Sequence, residues 1–182
     1  MARIAFILLC HKNADAIIRQ AEQLTAAGDY IALHFDASAD ASEFAAIKDA
    51  LQDNANVTFA AKRVKCGWGE WRLVQATLHT LEAAEIAFPT ATHFYMVSGD
   101  CMPIKSAGFA HKFLDERDMD FIESFDFFNS NWIKTGFREE RLIYRHFFNA
   151  RTQKRRFYTA SARTSSAFFA PLGSRMKLSF KH

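Results

Sequence analysis

Hydrophobic and polar positions alternate along the first two thirds of the chain in a repeating order. Ile4 to Cys10 is an unbroken apolar run, the pattern of a strand covered on both faces. Asn13 offers an N-cap, and Ala14, Ile17, Ile18, Ala21 and Leu24 then recur at helical spacing until Gly28 closes the helix. Tyr30 to Phe35 predicts a second strand, stopped by Asp36. Asp40 and Glu43 have capping-box spacing and open a helix with Phe44, Ile47 and Leu51 inward. Val57 to Phe59 predicts a short third strand. After the loop Gly67-Trp68-Gly69, a helix carries Trp71, Val74, Leu78 and Leu81 on the face expected to pack inward, with Pro89 beyond its end. His93 to Val97 predicts a fourth strand ending in Ser98-Gly99-Asp100. Ser106 caps a helix expected to run to about Glu116, and Met119 to Glu123 reads as a fifth strand.

Strands and helices that alternate at this spacing predict an α/β fold with a mostly parallel sheet and right-handed crossovers. Ligands of such sheets bind outside the carboxyl ends of the strands. Polar residues gather at those ends: His11 and Lys12 after the first strand, His34 and Asp36 at the second, Ser98 and Asp100 after the fourth. Each of them alone reads equally as a turn or cap residue, so the gathering carries the argument. From about Phe125 the pattern degrades. Thirteen of the 19 Phe residues fall at or after Phe109, interleaved with Arg and Lys. A helix over Arg138 to Phe148 and a basic loop over Arg151 to Arg156 are the only elements expected there.

Composition narrows the class. The chain has 182 residues, enough for one domain with a real core, and 49% of them are hydrophobic. No apolar run approaches the roughly 20 residues that span a bilayer, and the start MARIAFILLC lacks the cleavage site of a signal peptide. Three cysteines, Cys10, Cys66 and Cys101, are odd in number and lack metal-ligand spacing. They predict a reducing, cytoplasmic setting, with Cys10 and Cys101 buried and inert. The net charge of +3 is unevenly spread. Residues 1–133 carry 11 Lys and Arg against 18 Asp and Glu, and residues 134–182 carry 12 against 2. Such a basic tail suits phosphates or an anionic membrane surface, or complements the acidic body. No RNA-binding motif accompanies it, so no nucleic-acid partner is expected.

The dinucleotide fingerprint, the P-loop and the serine elbow are all missing, and His and Cys do not fall at zinc spacing. Four blocks in order, CHKN, LHFD, CGWGEWRLVQATLHTLEAA and FYMVSGDCMPIKS, resemble the core-2/I-branching β-1,6-N-acetylglucosaminyltransferases and their xylosyltransferase relatives (glycosyltransferase family 14) across Ile4 to Ser106. The segment Phe125 to Phe157 resembles bacterial members more loosely.

That resemblance implies a GT-A-like (Rossmann-like) nucleotide-sugar-binding domain and an inverting transfer from a UDP-sugar to a carbohydrate or glycoconjugate acceptor. The sugar is N-acetylglucosamine or xylose, and no metal or other cofactor is expected. His11, Lys12, His34, Asp36, Trp68, Ser98, Gly99 and Asp100 match the family's donor-binding positions. The family places an Asp one position later, where this chain has Cys101, which leaves the role of Asp100 open. Glu123 is placed to face the acceptor, although a structural role reads better. The resemblance divides the chain into a core over 1–124 and a Phe/Arg-rich continuation over 125–182 that begins the acceptor side. It also implies that the domain is incomplete at the C-terminus, with the catalytic glutamate expected beyond His182. A non-catalytic module that binds a nucleotide sugar or a partner is the alternative.

Overall fold

The computed structural model describes residues 1–67, 69–117 and 119–121. In chain order they form β1 (Ile4–Cys10), α1 (Ala14–Thr25), β2 (Tyr30–Phe35), α2 (Ala41–Leu51), β3 (Val57–Phe59), α3 (Trp71–Ala87), β4 (His93–Ser98) and α4 (Ala107–Asp115). The four strands make one all-parallel sheet in the order β3-β2-β1-β4. Alternate residues of β1 and β2 face opposite layers, which is why both strands are apolar except at His34. On one face Leu8, Ile31 and Leu33 meet Ile17, Ala21 and Leu24 of α1 and Ile47 and Leu51 of α2. On the other, Ala5, Ile7 and Ala32 meet Ala84, Leu81 and Phe88 at the end of α3.

This layering fixes the topology. The chain lays down β1, β2 and β3 in one direction with α1 and α2 on one face. α3 then carries it back across the opposite face, so that β4 lands on the free side of β1. The direction of winding reverses between β1 and β4, which makes their carboxyl ends the switch point of the sheet.

Local chemistry sets the helix starts. Asn13 adopts a left-handed φ of 63° and accepts from the Ala16 N–H at 3.3 Å. Asp40 accepts from the Ser42 N–H at 2.8 Å, and Ser106 Oγ from the Phe109 N–H at 3.3 Å. The expected capping box is replaced by a simpler cap, since Asp40 accepts from the Ser42 N–H rather than that of Glu43, and Glu43 Oε2 is buried without a hydrogen-bond partner. The inward face of α3 also differs from expectation. Ala76, Thr80 and Ala84 are its buried residues, whereas Trp71 is 66% exposed and Val74 and Leu78 are exposed too. Small side chains let the helix lie close on the sheet, and Thr80 satisfies its hydroxyl on the Ala76 carbonyl. Met119 to Phe121 are irregular where the sequence predicts the start of a fifth strand. Glu123, the division at 124/125, the basic stretch from Lys134 and the family's downstream elements lie outside the described residues. No helix among the described residues is long and apolar enough to cross a membrane.

The amino edge of the sheet holds a feature that the pattern does not foreshadow. Gly28, at φ +88°, turns the chain so that Asp29 enters the core just before β2. Its carboxylate accepts from the Ile4 N–H at 2.9 Å, and both oxygens lie 2.8 Å from His111 Nε2 on α4. This buried pair ties α4 to the starts of β1 and β2. Removing one member strands the other, so Asp29→Ala is expected to lower stability by about 3 kcal/mol in urea unfolding. A loss below about 0.5 kcal/mol would mean that the pair contributes nothing net.

Candidate functional site

Past their last paired residues, the tips of β1 and β4 stay side by side. The ladder pairs Leu9 with Ser98, and the Gly99 N–H donates to the Leu9 carbonyl at 3.2 Å. A side chain at position 99 would force buried Ile17 to shift. Its Cβ would lie 2.7 Å from Ile17 Cδ1 and 3.1 Å from Cys10 Cβ, so the glycine lets the turn press onto β1 and α1. Beyond these tips Lys12 Nζ and Asp100 Oδ2 stand 3.9 Å apart, both facing solvent. As an exposed pair they add little stability. They do put an exposed ammonium and a carboxylate together at the switch point, with exposed His11 next to Lys12.

The turn after β4 is held from beneath by a residue the sequence reading passed over. Gln20 is buried on α1, and its amide donates to the Ser98 carbonyl at 3.1 Å and to the Cys101 carbonyl. The Cys101 N–H closes the turn on the Ser98 carbonyl at 3.0 Å. A glutamine set among Ile17, Ala21 and Leu24 on an apolar helix face was the available signal.

At the neighbouring tip, β2, His34 and Asp36 are buried. His34 Nε2 accepts from the Val64 N–H at 2.8 Å. Asp36 Oδ1 accepts from the N–H and hydroxyl of Ser38, each at 2.6 Å, and its Oδ2 accepts from the Cys66 N–H at 3.0 Å. Arg63 adds to this knot. Its guanidinium donates to the Phe35 and Asp36 carbonyls, both at 2.9 Å, and stacks 4.1 Å over the Phe44 ring. Residues 63–66 therefore run as a strap along the end of β2, stitched also by the Ala37 N–H to the Val64 carbonyl at 3.1 Å. Arg63 and Ser38 were not singled out from the sequence, and Cys66 was read there only as one of three cysteines; the folded strap reveals the role of all three.

Electrostatics follow from these contacts. Burial pushes the His34 imidazole below its ordinary 6.5; nearby Asp36 pulls it back up, while Arg63 and His79 add to the lowering. An Nε2 that accepts from a backbone N–H must itself be unprotonated. Burial alone would raise Asp36, but the hydrogen bonds from Ser38 and Cys66 outweigh it and hold the carboxyl below 3.8.

The cysteines divide. Cys10 is buried as expected, and desolvation pushes its thiol up to about 12. Cys101, expected to be buried, is exposed because the turn after β4 points it outward. The Ser98 hydroxyl, 3.2 Å from Cys101 Sγ, lowers its thiol below the ordinary 9.0.

The structure thus gathers His11, Lys12, Ser98, Gly99 and Asp100 at one point, with His34 and Asp36 at the adjoining tip engaged by the strap. Trp68 lies outside the described residues. Among those residues no group of three or more His, Cys, Asp or Glu is placed to hold a metal ion. A groove of ≈ 900 Å³ beside β4 and α4 is lined mainly by apolar side chains such as Phe6, Phe94, Met96 and Phe113.

Two outcomes follow from this chemistry. Above pH 6.5 His34 is neutral in both the folded and unfolded chain. As pH falls below 6.5 the unfolded chain takes up a proton that the folded one resists, so stability declines. Urea unfolding at pH 7.5 and 5.5 is expected to show this decline, and His34→Gln is expected to flatten it; equal slopes in the two proteins would contradict the assignment. A maleimide under native conditions is expected to label Cys101 and spare Cys10 until the chain is unfolded. Labelling of Cys10 at a comparable rate would contradict the burial.

A family model of the core-2/I-branching enzymes matches residues 4–170. No curated protein matches significantly. The match spans the sheet, the switch point and the strap, and with the parallel α/β architecture it leads to one conclusion: the chain belongs to the core-2/I-branching enzyme family, a family of glycosyltransferases.

Proposed function

We propose that the carboxyl edge between β1 and β4 is the donor site of an inverting transferase that moves N-acetylglucosamine or xylose from a UDP-sugar to an acceptor hydroxyl. The observation that carries this reading is the Lys12–Asp100 pair at the switch point, in a chain of this family. In such a transfer the acceptor oxygen attacks the anomeric carbon as the bond to UDP breaks. The leaving diphosphate gains negative charge, and the acceptor gives up its proton to a general base. Lys12 is suited to meet the diphosphate and Asp100 to accept from sugar hydroxyls, on a turn that Gly99 lets press against β1 and α1. No base is assigned among the described residues.

Metal independence is part of the proposal. A hard cation such as Mn²⁺ seeks several oxygen ligands. The turn after β4 offers one carboxylate, Asp100, and the Lys12 ammonium beside it opposes a cation there.

Calorimetric titration with UDP in EDTA is expected to show binding that Lys12→Ala weakens about tenfold, or ~1.4 kcal/mol. Asp100→Ala is expected to affect a UDP-sugar more than UDP itself. Binding that appears only after Mn²⁺ is added would contradict the metal-free reading, and no binding of UDP by the unaltered chain would contradict the donor site. Comparing UDP-N-acetylglucosamine with UDP-xylose names the sugar. Release of free UDP in the presence of a saccharide acceptor separates a transferase from a module that only binds.

A further inference from the structure

The turn that carries Asp100 is fastened to α1 as well as to β1. One helical turn apart on the buried face of α1, Ile17 and Gln20 meet it at different points. Ile17 Cδ1 stands 2.7 Å from where a Cβ on Gly99 would lie. The Gln20 amide nitrogen donates to the Ser98 carbonyl at 3.1 Å and to the Cys101 carbonyl. Those carbonyls flank Gly99 and Asp100 and fix both ends of the turn, which the Cys101 N–H closes on the Ser98 carbonyl. Both amide hydrogens are used. A flipped amide would set its oxygen against two acceptors, so the orientation is fixed. The disadvantage lies at the other end of the amide. Gln20 is 1% exposed, and its Oε1 is buried without a hydrogen-bond partner. An apolar side chain of the same length would leave no such orphan among Ile17, Ala21 and Leu24.

We propose that Gln20 is a positioning residue that holds Asp100 in its place beside Lys12, and thereby sets the preference of the site for a nucleotide sugar over the bare nucleotide. The inference rests on the donor-site reading above. Gln20 is itself buried, so it acts through the backbone on either side of Asp100. Lys12 follows β1 and lies outside the turn. Loosening the turn therefore leaves in place the group suited to the diphosphate and displaces the one suited to the sugar. Stability and affinity are expected to part when Gln20 is replaced. Gln20→Met keeps the length of the side chain and removes the orphan oxygen together with the two bonds. The Ser98 carbonyl retains the Cys101 N–H, and Cys101 is exposed, so water can stand in for the amide there.

The test uses the full chain in EDTA at pH 7.5. Its readouts are the urea midpoint, exchange protection of the Cys101 amide by NMR, and calorimetric affinity for UDP and for the tighter of UDP-N-acetylglucosamine and UDP-xylose. Gln20→Met is expected to hold or raise the midpoint and to lower Cys101 protection about fivefold. It is expected to weaken the nucleotide sugar about fivefold and to leave UDP within about twofold. In an Asp100→Ala background the same change is expected to weaken the nucleotide sugar less than about twofold, since the residue it positions is gone. Gln20→Leu, of similar size, repeats every arm with different packing. An equal loss in both backgrounds would overturn the proposal. So would a parallel loss of UDP and nucleotide sugar with a lowered midpoint, the mark of a structural role. Should the unaltered chain bind neither ligand, the donor-site reading falls. The exchange arm then judges the brace separately, and unchanged Cys101 protection in Gln20→Met would refute it.

Discussion

A strand paired on both sides and covered on both faces has no freedom left, and β1 is that strand. Its ladders to β2 and β4 are both parallel and in fixed register, with Cys10 opposite Phe35 and Leu9 opposite Ser98. The two layers above and below it are locked by the alternation of Ala5 and Ile7 with Leu8 and Cys10. Three strand tips therefore emerge together at one edge, and what the chain places just beyond them becomes a shared surface. The candidate site is a consequence of that register. Shifting β4 by one residue would turn its apolar side chains over and carry Asp100 away from Lys12.

The tips are finished by side chains that bind backbone. Gln20 from α1 holds the turn after β4, while His34 and Asp36 hold the strap beside β2. Such bonds are made in a buried setting, where an unmet donor or acceptor is costly. Their cost when broken gives the loops a rigidity that their length would not. The residues His11, Lys12 and Asp100 are left exposed on a braced rim, an arrangement suited to a charged ligand that must bind and leave. Opposite, the Asp29–His111 pair performs the same bracing at the amino edge, where α4 is tied down.

How much of this could be read from the chain depended on the range of the interaction. The bounds of β1 and β2 coincide with the apolar runs, because a strand buried on both faces writes itself as consecutive hydrophobic residues, and the short, half-buried edge strand β3 also falls at its expected bounds. The caps Asn13, Asp40 and Ser106 were legible for the same reason, being local. The inward face of α3 was not. Large apolar residues weigh most in a periodicity, but close packing on a sheet selected Ala76, Thr80 and Ala84. The gathering of Lys12 and Asp100 was foreseeable from topology alone. The engagement of Asp36 by Cys66, and of Asp29 by His111 across 82 residues, was not, since neither pair leaves a mark at short spacing. The exposure of Cys101 was missed because an apolar strand precedes it, while the turn that follows reverses its direction.

The central claim is that the β1–β4 edge receives the nucleotide, and amide chemical-shift mapping of the full chain with UDP in EDTA tests it most directly. The account predicts shifts concentrated at residues 11–12 and 98–100, with residues 2–4, 29 and 111 at the opposite edge unmoved. Shifts centred on that opposite edge, or on the apolar groove beside α4, would contradict it.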